Sequence, residues 1–109
     1  MSFDVQDLAS WQPASDEWSI GLRILAGPAD GPGEESFDLT VCSVDWLAAQ
    51  VRREGVVDGR HYLVADGFNW SVLNSYIENR VRQCEGATWR EVAERLGRFG
   101  YWEFEDYRP

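Results

Sequence analysis

Between Glu34 and Arg53 the chain reads EESFDLTVCSVDWLAAQVRR, and its apolar period changes once, at Ser43. Before that point Phe37, Leu39 and Val41 alternate with Ser36, Asp38 and Thr40, the pattern of a strand with one buried face. After it Val44, Leu47, Ala48 and Val51 recur at the three- and four-residue spacing that puts them on one side of a helix. The Ser43 hydroxyl can accept from the first free N–H groups, Asp45 suits the positive helix start, and Gly55 can adopt the positive φ that ends a helix. A strand that runs without a linker into a helix constrains the fold strongly, because the helix must turn back onto the sheet to which that strand belongs.

Upstream, Trp18 to Ala26 alternates with Trp18, Ile20, Leu22 and Ile24 on one face, and GPADGPG from Gly27 to Gly33 supplies the chemistry of a reversal. Trp18–Ala26 and Glu34–Cys42 are therefore expected to form an antiparallel hairpin. If both apolar faces are shared, pairing Ile24 with Phe37 sets Arg23 opposite Asp38 on the outer side. Met1 to Glu17 carries Val5, Leu8 and Trp11 at a three-residue spacing and then Pro13, which reads as a short turn or irregular segment.

Downstream, Val56–Gly59 is a connection, His61–Ala65 a third strand and Asp66-Gly67 a turn. Trp70, Leu73, Ile77, Val81 and Cys84 form a helical stripe that Gly86 closes. Thr88 and Glu91 have capping-box spacing ahead of a stripe of Trp89, Val92, Ala93 and Leu96. Tyr101–Tyr107 is a final strand, with Trp102 and Phe104 facing one way and Glu103 and Glu105 the other. The order ββαβααβ predicts an α+β domain spanning residues 1–109, a largely antiparallel sheet of about four strands with three helices on one face.

The chain has 109 residues, 44% of them apolar, with six Trp, five Phe and four Tyr, which suffices for a core. Its longest apolar run is well short of a membrane span, and MSFDVQDL lacks the basic and apolar regions of a secretory leader, so a cytoplasmic protein is expected. In that reducing setting Cys42 and Cys84, at a strand end and on a helix stripe, read as small buried residues. All ten basic side chains are Arg against nineteen acidic ones, a net charge of −9. Such a balance argues against nucleic acid and anionic membranes, and favours either plain solubility or a basic partner.

Several short matches occur in order: Gly27-Pro28, Gly33-Glu34-Glu35-Ser36-Phe37-Asp38, Val41-Cys42, Trp46-Leu47, Gly59-Arg60-His61-Tyr62, Cys84-Glu85-Gly86 with Trp89, and Trp102-Glu103-Phe104-Glu105-Asp106-Tyr107. Together, over roughly residues 18 to 109, they resemble the immunity protein 8 family of bacterial polymorphic toxin systems. The resemblance implies a protein that binds and neutralises a toxin made by the same cell, with no catalytic residues to carry over.

Read on their own, the chemically able residues give no catalytic site and leave the role of the acidic face open. His61 is the single histidine and the natural acid/base candidate, yet neither Cys42 nor Cys84 has a nucleophile motif around it. Glu103 and Glu105 project from one strand face about 7 Å apart, a spacing usable by a metal or a glycosidic bond, but no calcium loop, P-loop or nucleophile elbow is present. No catalytic residue, metal site or cofactor is expected. The outward carboxylates Glu34, Asp38, Glu103 and Glu105, with Asp106 nearby, could dock a basic partner, and the resemblance brings this reading to the front and implies a cognate, basic toxin domain as that partner. Trp46 lies off the centre of its helical stripe, where it either packs near Trp11 or serves as an interface anchor. The alternatives are a merely solvated acidic face, or a small interaction or regulatory subunit with no toxin partner.

Overall fold

The computed structural model describes residues 1–105. Its elements in chain order are β1 (Ser2–Val5), β2 (Ser19–Gly27), β3 (Glu35–Ser43), α1 (Val44–Glu54), β4 (Tyr62–Ala65), α2 (Trp70–Arg82), α3 (Trp89–Leu96) and β5 (Tyr101–Trp102). The α+β class holds, with three helices and a five-stranded sheet.

β2 and β3 form the expected hairpin in the expected register, Ile24 opposite Phe37 and Arg23 opposite Asp38. β1 pairs antiparallel with β2 on one side, and the other edge of β3 is divided between two partners. Its Thr40–Ser43 half takes β4 in parallel, whereas Phe37 and Asp38 take the two residues of β5 antiparallel. The parallel pairing makes the sheet mixed. It follows from α1, which carries the chain from the end of β3 back to the start of its neighbour, a crossover that only parallel strands require.

Two segments depart from the sequence reading. The N-terminal residues are not irregular, because Phe3 and Val5 alternate with Ser2 and Asp4 and lie opposite Ala26 and Ile24, completing the sheet edge. The last strand stops at Trp102 rather than continuing to Tyr107. The Glu105 amide donates to the Trp102 carbonyl (2.9 Å) and closes a turn, and the remainder of that expected strand lies outside the described residues.

Leu22 and Ile24 of β2 and Phe37, Leu39 and Val41 of β3 meet Leu73, Ile77 and Val81 of α2 and Val92, Ala93 and Leu96 of α3 in one buried cluster. Each Val, Leu, Ile or Phe side chain among them contributes about 1.5–3 kcal/mol relative to leaving it in water. Trp11, Trp18 and Phe68 close one end through edge-to-face contacts at centroid distances of 4.9 to 5.8 Å.

α1 behaves differently from α2 and α3. Its caps are as expected: Ser43 Oγ accepts from the Trp46 amide (3.1 Å), and Gly55, at φ 81°, donates to the Val51 carbonyl. Its expected apolar stripe, however, is not buried; Val44 is 57% and Val51 42% exposed. The helix instead leans through Trp46 on Tyr62, whose ring lies 6.0 Å away. Tyr62 is paired with Thr40 and so shares its side of the sheet, opposite to the side covered by α2 and α3. Cys42, two residues on from Thr40, is fully buried on that same side and stands apart from the main cluster.

Candidate functional site

The side of the sheet that faces away from α2 and α3 is open over most of its length. Strand alternation places Gly21 and Arg23 of β2, Asp38 and Thr40 of β3, Tyr62 of β4 and Tyr101 of β5 on it. These residues line a concavity of about 500 Å³, with Arg60 and His61 entering from the connection ahead of β4. Gly21 forms its open floor: a Cβ built there meets nothing within 4 Å. An isolated glycine in a strand pattern is the one sequence signal that could have marked this spot.

Across the floor, Arg23 grips Asp38 with two parallel bonds, Nε to Oδ1 at 2.8 Å and Nη2 to Oδ2 at 3.0 Å. The hydrogen bond to Asp38, with its charge, raises the Arg23 guanidinium above its ordinary range, and the charge of Glu103 adds to this. The pair is exposed on both sides, so its value lies in fixing register more than in stability. At the far wall Arg60 reaches Glu105 through one long contact of 3.4 Å and remains 60% exposed, and among the described residues most of its side-chain donors have no partner.

The carboxylates expected to dock a partner are thus unequally placed. Asp38 and Glu103 flank Arg23, and Glu105 flanks Arg60. Glu103 also accepts from the Ser36 amide at 2.8 Å, tying the chain after β5 to β3. Glu34 is exposed in the connection ahead of β3, and Asp106 lies outside the described residues. Trp46 is half-buried against Tyr62 and far from the Trp11 cluster in its contacts. Arg60, Tyr62 and Tyr101 were not singled out by sequence reasoning, because nothing in the linear pattern shows that they converge.

His61 has a structural task. Its Nε2 donates to the Gly97 carbonyl at 2.8 Å, and its own carbonyl accepts from the Thr40 amide, so it joins the α3 exit to the sheet. Both thiols are free and buried, and Cys84 sits against Arg80 on α2. Burial pushes the Cys42 thiol up, which leaves little thiolate at neutral pH. Cys42 should therefore react with a thiol-specific disulfide reagent at least about a hundredfold more slowly in the folded protein than in urea. Labelling at equal rates in both would show the thiol to be accessible. Among the described residues no group of three or more His, Cys, Asp or Glu is gathered that could hold a metal ion, and no helix is long and apolar enough to cross a membrane.

The open sheet face thus carries exposed ion pairs, two tyrosines and two arginines around one concavity. The family model of immunity protein 8 matches residues 1–107, and the chain belongs to that family. The match reaches back to residue 1, beyond the stretch over which the resemblance could be read from the sequence, and so includes β1. Neither the curated proteins nor the solved structures contain a match.

Proposed function

We propose that this protein binds a cognate bacterial toxin domain in the cytoplasm and neutralises it by stoichiometric, noncatalytic association, using the outer sheet face. Membership of the immunity protein 8 family carries this reading. The face itself supports it. Glu34, Asp38, Glu103 and Glu105, and Asp106 on its sequence position alone, present carboxylates toward a basic toxin surface, with Trp46 as a half-buried aromatic at the β4 end. A net charge of −9 would steer such a partner in and speed its capture, as an inhibitor of a toxin made in the same cell requires.

The reading expects a toxin domain to be encoded beside this protein, and the test uses that domain. Titrating the toxin should bring its activity to zero at an equimolar ratio. Neutralising Glu34, Asp38, Glu103 and Glu105 to the corresponding amides should slow association about tenfold or more at low salt and flatten its salt dependence. Asp38 and Glu103 hold Arg23 and the Ser36 amide, and Glu105 is 25% exposed, so the unfolding midpoint should fall modestly while the fold is kept. A toxin domain that fails to bind the wild-type protein would leave a small acidic regulatory subunit as the better reading.

A further inference from the structure

On the outer face this acidic chain brings two arginines to one concavity. Arg23 and Arg60 line it with the carboxylate Asp38, and Glu103 and Glu105 stand beside those arginines. The two arginines differ in how far they are occupied. Both Asp38 oxygens are already held by Arg23, while Arg60 spends one long bond on Glu105. The Tyr62 and Tyr101 hydroxyls on the walls can donate or accept. Among the described residues Arg60 is thus the lining cation with donors to spare, and an acidic occupant would take them up.

Resting on the reading above, we infer that the concavity over Gly21 is the anchor pocket of the interface and receives one Asp or Glu side chain of the toxin domain, with Arg60 as its main partner. A guanidinium presents two parallel N–H groups that match a carboxylate, and a docked partner covering the open concavity would remove both charges from water. The arrangement divides the work of the face. The outlying carboxylates attract a basic surface from a distance, and the central Arg demands an opposite sign at one point. Charges of both signs in a fixed order define a single docking orientation, which a uniformly acidic face would not do.

Gly21 makes the pocket testable without touching a charge. Gly21→Trp fills the concavity from the floor, where added atoms meet open space, and replaces a glycine with a residue that strands favour, so the fold should be kept. Binding to the toxin domain should fall at least about a hundredfold, as expected when a central anchor is displaced. Arg60→Gln should weaken binding by about thirtyfold or more, chiefly through faster dissociation, and Arg60→Lys should recover only part of it. Arg90→Gln removes the same charge from an 80% exposed side chain on α3 and should leave affinity unchanged. Arg60→Glu should lose binding, and reversing each toxin carboxylate to Lys in turn should restore it for one variant, which identifies the occupant. Wild-type affinity in Gly21→Trp would overturn the pocket while leaving the immunity reading intact. Loss in Gly21→Trp with full binding by Arg60→Gln would keep the face and overturn its acidic occupant. A toxin domain that does not bind wild type would sink the underlying reading instead.

Discussion

Phe37→Ala should destabilise the protein by about 3–5 kcal/mol, near the upper limit for a single core truncation. The side chain is fully buried at the centre of β3, opposite Ile24 on β2. The Trp102 ring stacks on it at 6.2 Å and the Trp89 ring meets it edge-on at 6.3 Å. The cost depends on whether these neighbours can collapse into the space, and one of them, Trp89, is tethered while the backbone at Gly100 is already close. Trp89 Nε1 donates to Glu35 Oε2 at 2.6 Å, and Gly100 already approaches so closely that a Cβ there would lie 3.1 Å from that of Phe37. The cavity should therefore stay largely open. Small domains are stable by about 5–15 kcal/mol in total, so the loss should appear as a large drop in the urea midpoint. Val72→Ala, at a position 64% exposed, should shift it by no more than about 0.5 kcal/mol. Equal effects at the two positions would mean that the core is not centred on β3.

Much of this architecture was legible because its signals are local and mutually consistent. Ser43 marks the change from strand to helix in the sequence, and in the structure its hydroxyl accepts from both Trp46 and Trp18 amides, joining α1 to the start of β2. The Arg23–Asp38 register could be read because both strands alternate cleanly on either side of a glycine-rich reversal. β1 escaped notice because four residues give only two alternations, too few to separate from a turn. The buried side of α1 was misjudged for another reason. Helical spacing finds the most apolar stripe, whereas what Trp46 meets is decided by the position of Tyr62 across the sheet.

The candidate site was legible only in part. Each of the described carboxylates is expected to point outward, and Arg23 follows from the register as the partner of Asp38, but the partners of Glu103 and Glu105 cannot be read. Gly21, Asp38, Arg60 and Tyr101 come from four separate segments, and the concavity exists only once β5 and the connection before β4 close on β3 from opposite ends. An acidic sequence therefore suggested an acidic face, while folding brought two of the ten arginines into its middle.

The reversal that sets this register should be sensitive at one glycine and indifferent at another. A Cβ at Gly27 would lie 2.2 Å from the Gly33 carbonyl oxygen, a backbone atom that cannot move aside as a flexible side chain would. Gly27→Ala should accordingly cost about 2–3 kcal/mol, whereas Gly31→Ala, whose Cβ would meet only Pro28 at an ordinary 3.5 Å, should cost no more than about 0.5 kcal/mol. The strain has two ways out. Sliding β2 by one residue would turn Arg23 into the core and Ile24 out to solvent, which the ladder from Ser19–Cys42 to Ala26–Glu35 opposes along its whole length. Opening the turn displaces only the connection between β2 and β3. The second route should win, so the folded Gly27→Ala protein should keep the Arg23–Asp38 pair and bind the toxin domain at the wild-type rate despite its lower urea midpoint. Slower association by the folded variant, alongside a changed Arg23 side-chain environment by NMR, would show that the turn rather than the strands holds the register on which the concavity depends.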